Sequence, residues 1–234
     1  MKAIVHKANT RGYFDHGWLQ TAHTFSFADY YDPERVHFGA LRVLNDDRIA
    51  PGTGFGMHAH RNMEIVSIPL RGGLEHRDSM GHVSVLHKGE VQVMSAGTAV
   101  HHSESNLSKD ETTEFLQIWV MPEKLNTPPA YQDYDIRPFL RKNELALIVS
   151  PDGDAPAKML QQTWFSIGEI EAGKKIGYHM HQSHAGVYIF VIEGEVKVDD
   201  TVLSRRDGMG VYDTHSFELE TLKDSHILLM EVPM

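Results

Sequence analysis

Two stretches of the sequence share one pattern at a constant spacing. Residues 52–60 read GTGFGMHAH and residues 173–181 read GKKIGYHMH, and in each five residues separate the first glycine from a His-x-His pair. The offset between the two pairs is 121 residues for both histidines. Each pair is followed by an apolar run, Glu64–Leu70 or Val187–Ile192, and then by a glycine turn. An internal duplication of one β-domain explains this correspondence.

The remaining apolar segments also predict β-structure. They are short, rich in β-branched and aromatic residues, and closed by Gly, Asp, Asn or Pro, and none has a sustained 3.6-residue period. The predicted strands are Phe38–Leu44, Glu64–Leu70, Val83–His87, Val91–Met94 and Glu114–Met121, then Leu145–Ser150, Thr163–Ile170, Val187–Ile192, Glu195–Val198, Met209–Tyr212 and His226–Val232. Many short strands separated by turns indicate an all-β sandwich or barrel.

A proline-rich segment separates the two halves. Residues 121–134 contain the adjacent Pro128 and Pro129, which fit neither a helix interior nor a central strand. The chain of 234 residues is long enough for two cores. We therefore expect one domain over residues 1–130 and a second over residues 131–234.

Composition narrows the classes of function. The formal charge is −10, from 22 Lys and Arg against 32 Asp and Glu, which disfavours direct binding to nucleic acid or to an anionic membrane. The sequence has no cysteine, so disulfides, thiolate metal sites and a cysteine nucleophile are excluded. No apolar run has the length of a signal peptide or a membrane span. We expect a cytoplasmic protein, and a monomer because no exposed apolar strand indicates an interface.

Two pairs of polar residues in the first half could converge on a metal ion. In an extended segment residues i and i+2 share a face, so His58 lies beside His60, and His102 lies beside Glu104. His101 is the competing ligand, because a bulge would change which side chains face inward. Three imidazoles and one carboxylate would suit a divalent iron, zinc, manganese, nickel or copper ion.

The phrases around these residues resemble the pirin family of cupin proteins. Gly52-x5-His58-x-His60-x3-Glu64 is similar to the first cupin motif. The phrases GLEHRDSMGH (73–82), QVMSAG (92–97), LQIWV (116–120) and TFSFADYY (24–31) are similar to pirins specifically. The resemblance covers nearly all of residues 1–125 and beyond about residue 140 concerns mainly the architecture.

This resemblance implies a bicupin, two tandem cupin-type antiparallel β-barrels of jelly-roll kind, with one divalent metal in the N-terminal barrel. The family ligands fall on His58, His60, His102 and Glu104, and the position of Glu64 is not a ligand in pirins. Fe²⁺ is the ion that the family implies, and Zn²⁺, Mn²⁺, Ni²⁺, Co²⁺ or Cu²⁺ would also suit the ligands.

The implied activity is that of a quercetin 2,3-dioxygenase. Such an enzyme cleaves a small planar flavonol with O₂ to a depside and carbon monoxide, with the substrate 3-oxygen bound at the metal. Glu104 is then the catalytic residue, because it can both bind the ion and receive the proton of the 3-hydroxyl. The alternative, implied by animal pirins, is a metal-containing co-regulator that binds other proteins and has no catalytic function.

The surroundings of the site allow two interpretations. His76, Asp78 and His82 are predicted on the loop after Glu64–Leu70, where they could line the pocket or orient the ligands, or could simply form the turn. Four aromatic residues could wall a planar ligand or pack in the core: Phe25, Phe27, Tyr30 and Trp119.

The second copy of the motif is incomplete. It keeps His179 and His181 but lacks the Gly-x4-His-x-Glu arrangement, so a second metal would need His215 or His184 as a substitute ligand. We therefore expect a metal-free barrel that supports and partly closes the first.

Overall fold

The computed structural model describes residues 1–234 and is built almost entirely of β-strands. The strands up to the linker are β1 (Lys2–His6), β2 (Gly12–Asp15), β3 (Leu19–His23), β4 (Leu41–Ile49), β5 (Gly54–His60), β6 (Glu64–Arg71), β7 (Gly73–Asp78), β8 (Val83–His87), β9 (Glu90–Ser95), β10 (Val100–Ser105), β11 (Thr113–Val120) and β12 (Ala130–Asp135). Those after it are β13 (Ala146–Ser150), β14 (Ala157–Lys158), β15 (Trp164–Ile170), β16 (Lys175–His179), β17 (Ala185–Glu193), β18 (Glu195–Val198), β19 (Thr201–Ser204), β20 (Gly208–Tyr212), β21 (Ser216–Thr221) and β22 (Ser225–Pro233). Short 3₁₀ helices occupy Ala8–Thr10 and Arg137–Phe139. None of the helices is long and apolar enough to cross a membrane.

The strands form two similar units, each a seven-stranded sheet facing a four-stranded one. The first unit has the orders β12-β9-β6-β11-β4-β3-β2 and β5-β10-β7-β8, and the second has β1-β20-β17-β22-β15-β13-β14 and β16-β21-β18-β19. Every pairing is antiparallel except that of β13 with β14. The predicted all-β bicupin is confirmed, in the form of two-sheet sandwiches whose sheets do not close into complete barrels.

Strand pairing crosses the predicted division at residue 130 in two places. β1 pairs with β20, with Ile4 opposite Gly210, so the first strand of the chain lies in the second unit. β12 pairs with β9, with Tyr131 opposite Met94, so residues 131–135 lie in the first unit. Both are edge strands, whose half-exposed residues give a weaker apolar pattern than those of central strands. Each seven-stranded sheet therefore includes one edge strand that the predicted division at residue 130 assigns to the other domain.

The largest apolar cluster lies between the two seven-stranded sheets and joins the units. Its 25 buried residues include Val66 and Leu116 of the first unit and Phe190, Leu228 and Met230 of the second. The units therefore pack back to back, and burial of this apolar surface is the main contribution to their association.

The interiors of the two units differ in polarity. An apolar cluster of 14 residues fills the second unit, whereas the first has only two clusters, of 4 and 3 residues. On the inward faces of β6, β9 and β11 the first unit buries Ser67, Gln92 and Gln117. Buried polar groups are costly unless they have hydrogen-bond partners. The interior of the first unit is therefore the better candidate for a polar functional site.

Candidate metal centre

Three histidines meet where β5 and β10 are paired. His58 lies directly opposite His102 in the antiparallel register, and His60 lies two residues along β5 on the same face. The ring centroids are 4.4 Å apart for His58 and His102, and 4.8 Å apart for each of the other two pairs. One ring nitrogen from each residue can be chosen so that all three lie within 4.8 Å of one another.

The alternation of β10 determines which of its two consecutive histidines faces this group. His102 is completely buried, whereas His101 is exposed, and its backbone N–H donates to Ser79 Oγ at 3.1 Å. The register shifts between His102 and Glu104, yet Glu104 remains on the buried side. The bulge therefore does not exchange the two faces of the strand, and His101 lies away from the site.

Glu104 joins the site through His102. It lies opposite His76 of β7, and its carboxylate belongs to a second group with the nitrogens of His76 and His102, also within 4.8 Å. The two groups thus overlap at His102 but do not form one set of four. Ser67 Oγ donates to Glu104 Oε1 at 3.1 Å, and Gln117 Nε2 donates to Oε2 at 2.6 Å. Burial raises the pKa of Glu104 to about 7, although these hydrogen bonds oppose the shift.

Two of the three histidines are neutral, as metal ligands must be, and the third has a free ring nitrogen. Burial, together with the neighbouring histidines, lowers the pKa of His60 to about 4 and that of His102 to about 2, so both rings are neutral at pH 7. His58 Nδ1 lies 2.8 Å from the carbonyl oxygen of Gly56, to which it can donate, leaving Nε2 as the free donor atom. His102 Nε2 is buried without a hydrogen-bond partner. A divalent ion would satisfy these nitrogens, so the donor set fits a metal.

A chain of hydrogen bonds lies behind His102. Its Nδ1 is 3.4 Å from His76 Nδ1, and His76 Nε2 is 3.2 Å from Asp78 Oδ2. Burial would raise the pKa of Asp78, but hydrogen bonds from His82 and His76 outweigh it and hold that pKa below the usual value. An ionised Asp78 only accepts, so His76 donates from Nε2 and accepts at Nδ1. His102 then carries its proton on Nδ1 and keeps Nε2 free for a metal.

The predicted loop position of two of these residues is wrong. His76 and Asp78 lie on β7, in which Leu74, Glu75 and His76 are all buried, and only His82 lies beyond the strand. Asp78 nevertheless has the predicted turn chemistry, since its Oδ1 accepts the backbone N–H groups of Met80 and His82. Its Oδ2 accepts from the rings of His76 and His82. Asp78 therefore forms the turn and also pairs with two histidine rings, and its effect on the metal ligands stays a prediction.

Several residues at the site were not predicted. Ser67 and Gln117 occupy inward positions of the predicted strands Glu64–Leu70 and Glu114–Met121, and a polar residue in an otherwise apolar strand was the available signal. Tyr131 of β12 stacks on His76 and His82, with centroids 4.4 and 4.7 Å apart. No local pattern places it there, because β12 follows the proline-rich segment.

The four predicted aromatic residues have different positions. Trp119 packs edge-on against His60 at 4.8 Å, and Phe27 packs against Trp119 at 5.2 Å. Phe25 belongs to the core between the units, and Tyr30 packs against Gly12. Only Trp119 of the four therefore contacts a histidine of the three-histidine group.

Glu64, which was not assigned as a ligand, has other partners. It is buried, and its Oε2 accepts from Ser95 Oγ at 2.7 Å and from the backbone N–H of Leu160 at 3.3 Å. The carboxylate thus links the first unit to the second.

The repeated motif in the second unit has the opposite strand phase. In β16 the side chain of Tyr178 is buried and that of His179 is exposed, and Ser216 occupies the position opposite His179. His181 Nδ1 lies 2.8 Å from Glu231 Oε2, and its ring stacks on Trp164. His184 and His215 are exposed. These histidines therefore do not form a counterpart of the first group.

Comparison with known proteins gives matches over both units. Residues 4–120 match the family model described as Pirin, and residues 147–232 match that of the quercetinase C-terminal cupin domain. The chain is 39% identical over 234 residues to quercetin 2,3-dioxygenase of Escherichia coli (strain K12), covering 98% of each. It is 37% identical to a pirin-like protein of Caulobacter vibrioides, covering 93% of this chain and 94% of the relative. The crystal structure of the Escherichia coli bacterial pirin YhhW in complex with nickel(II) superposes with a TM-score of 0.94 at 37% identity, covering 99% of each chain.

Proposed function

The chain belongs to the pirin family and is a metal-binding cupin dioxygenase, and we propose that it cleaves a flavonol such as quercetin with O₂ to a depside and carbon monoxide. The observation that carries the proposal is the buried carboxylate of Glu104 beside His102, next to a group of three histidines. This arrangement places one proton acceptor next to the nitrogens that would hold an ion.

We assign His58, His60, His102 and Glu104 as the residues that would hold one divalent ion, with Fe²⁺ as the native metal. The set has a formal charge of about +1 when the ion is bound, which favours an anionic oxygen of the substrate. When bound, the ion supplies Lewis-acid attraction for that oxygen and the exchange of electrons with O₂. The nickel(II) complex of the bacterial pirin YhhW supports a divalent ion in this family, and imidazole ligands suit iron and nickel alike.

Glu104 receives the proton of the flavonol 3-hydroxyl. Burial raises the pKa of this carboxyl group, which favours uptake of the proton by Glu104. Ser67 Oγ is 3.1 Å from Glu104 Oε1 and also 3.1 Å from Gln117 Oε1. When Oε1 becomes protonated, Ser67 can turn its hydroxyl hydrogen to Gln117 and accept from Glu104 instead. The proton is thus held at Glu104 Oε1 without leaving an unpaired polar group.

The experiment is an oxygen-electrode assay of the purified protein, loaded in turn with Fe²⁺, Mn²⁺, Co²⁺, Ni²⁺, Cu²⁺ and Zn²⁺. We expect O₂ consumption and carbon monoxide release with quercetin and related flavonols. The matched control is a 3-O-methylated flavonol, which has the same planar rings but no 3-hydroxyl proton, and it should not react. If no flavonol is consumed with any of the ions, the proposal is wrong and the non-enzymatic co-regulator becomes the better interpretation.

A further inference from the structure

A cavity of about 370 Å³ lies at the junction of the two units and is rich in arginine. Its charged lining residues are Arg11, Arg48, Arg205, Arg206, Asp46 and Glu114. The first-unit residues come from the chain before β2 and from β4 and β11, and Arg205 and Arg206 come from the β19–β20 turn of the second unit. Four cations against two anions give this cavity an excess of positive charge in a chain whose formal charge is −10.

The two deep arginines have too few acceptors. The side chains of Arg11 and Arg206 are each only 6% exposed, and both approach the same carboxylate oxygen, Asp46 Oδ2, at 3.4 and 3.2 Å. The Nε of Arg206 is close to that oxygen, but its N–H is not directed at it, so Nε and Nη1 of both arginines lack a hydrogen-bond partner. Arg206 Nη2 is 3.8 Å from Glu193 Oε1. Since buried guanidinium N–H groups without acceptors are costly, the pair favours a further oxyanion.

The contact of Arg11 with an aromatic ring does not supply this acceptor. Its guanidinium carbon lies 5.6 Å from the ring centroid of Phe190. Such a contact offsets part of the cost of burying the charge but does not accept its N–H groups in the plane of the guanidinium. These N–H groups form the planar fork that matches the oxygens of a carboxylate or phosphate.

The two other arginines lie at the rim of the cavity, and about half of each side chain is exposed. Arg48 pairs with Glu114 at 3.1 Å and Arg205 with Glu193 at 2.7 Å, and the two arginine side chains are 52% and 56% exposed. Exposed pairs of this kind contribute little to stability. An incoming anion can therefore compete for these guanidinium groups at small cost.

The cavity is separate from the metal centre. Asp46 and Asp47 are consecutive on β4, so their side chains point to opposite faces of the seven-stranded sheet. Asp47 faces the interior of the first unit, where burial, with the charges of Asp46 and Glu104, raises its pKa to about 7. Asp46 faces the other side, where it meets Arg206 of the second unit.

We propose that this cavity binds a small organic anion through a phosphate or carboxylate group, with the oxyanion accepting hydrogen bonds from Arg11 and Arg206 and drawing Arg48 and Arg205 inward. Its volume lies at the small end of the range of about 300–1,000 Å³ for small-molecule sites, so the anion is a small metabolite. Because the arginines come from both units, the bound anion also bridges them.

Titration calorimetry of the metal-loaded full-length protein with inorganic phosphate and, separately, with succinate tests this site at constant ionic strength. Saturable binding of phosphate alone assigns a phosphate group, binding of succinate alone assigns a carboxylate, and binding of both supports either. Binding of neither overturns the proposal.

The double variant Arg48→Gln/Arg205→Gln should weaken the measured affinity by about tenfold or more, because it removes two charge-assisted hydrogen bonds. The matched control is Arg71→Gln/Arg137→Gln, which removes two arginines that are 60% and 58% exposed, also paired with acids, and not part of the cavity. Equal losses in the two double variants would show a general charge effect. No loss in either would place the anion elsewhere, including at the metal, and both results overturn the site.

Asp46→Asn gives an independent measurement. It removes the carboxylate that Arg11 and Arg206 share, so the Tm of the variant in chloride should be lower than that of the wild type. Addition of phosphate should raise the Tm of the variant by more than it raises the Tm of the wild type. If the lowered Tm is not recovered by phosphate or succinate, the arginines only brace the junction and the proposal fails. If the variant does not fold, the comparison of the two double variants still decides.

Discussion

Replacing Asp78 with asparagine should weaken metal binding although Asp78 is not among the proposed ligands. In the wild type, Asp78 Oδ2 accepts from His76 Nε2 at 3.2 Å, and His76 Nδ1 faces His102 Nδ1 at 3.4 Å. An amide nitrogen in place of Oδ2 would donate to His76 Nε2 instead. His76 would then carry its proton on Nδ1, and His102 would have to carry its own on Nε2, where the ion should bind.

The asparagine cannot avoid this reversal by turning over. Asp78 Oδ1 accepts the backbone N–H groups of Met80 and His82 at 2.9 and 3.0 Å. If the amide oxygen turned to His76, the amide nitrogen would face these two donors, and the turn would lose its hydrogen bonds. Loss of a group that orients a metal-binding histidine costs about 10–100-fold in metal affinity, which corresponds to about 1.4–2.7 kcal/mol.

A competition titration of nickel(II) against a chromophoric chelator measures this loss, with circular dichroism to establish that the variant is folded. Asp135→Asn, at an exposed carboxylate of β12, is the control for the same chemical change. In the double variant, Asp78→Asn should add little to the loss of nickel(II) affinity that His76→Phe causes alone, since both changes act through one chain of hydrogen bonds. A folded Asp78→Asn protein with wild-type metal affinity would refute the role of this hydrogen-bond chain. So would a double variant whose fold-loss in metal affinity equals the product of the two single losses.

Three further outcomes are expected. Glu104→Gln should abolish flavonol turnover, because an amide cannot accept the substrate proton, and retention of full activity in the oxygen-electrode assay would remove the catalytic role of Glu104. Elemental analysis should find one metal equivalent per chain in the wild type and in His179→Ala, whereas His102→Ala should lose it; metal lost from His179→Ala instead would contradict the assignment. Burial lowers the pKa of His6 to about 4, so as the pH falls the unfolded chain takes up this proton before the folded chain does. The free energy of unfolding should therefore fall as the pH drops from about 6.5 to about 4, by about 2–3 kcal/mol at pH 4.5. His6→Asn, which can still hydrogen-bond to Tyr188, should show less of this loss in denaturant titrations at pH 7 and 4.5, and an unchanged pH dependence would argue against it.

Most of the strands, including β8 at the edge of its sheet, were predictable because their local signal is strong. Val83–His87 and Glu195–Val198 have the predicted bounds, and the other predicted strands overlap observed ones. The placement of His102 followed from the alternation of β10, which the bulge before Glu104 does not reverse. Period-2 alternation is therefore enough to place a side chain wherever the strand has one buried face.

The errors concern segments whose polar residues are satisfied by distant partners. β7 reads as a loop because His76 and Asp78 are polar, but each is paired with a side chain, and β7 is hydrogen-bonded between β8 and β10. β1 and β12 could not be assigned to a unit, because an edge strand is specified by the sheet that it joins. The partners of Glu104 could not be identified from the sequence for the same reason. Ser67 and Gln117 come together only when β6 and β11 pair, which places Ser67 opposite Gln117.

The repeated His-x-His motif shows that the grouping of histidines depends on strand phase as much as on residue identity. In the first unit β5 brings His58 and His60 to His102, whereas in the second unit β16 turns Tyr178 inward and leaves His179 exposed. A shift of one residue exchanges the whole set of side chains that faces the interior. Because Tyr178 belongs to the 14-residue apolar cluster, a change of phase in β16 would place polar groups among apolar neighbours without partners, at a cost of several kcal/mol. In the second unit the apolar interior therefore favours the phase of β16 that leaves His179 outside. In the first unit the polar interior favours the phase of β5 that turns His58 and His60 inward.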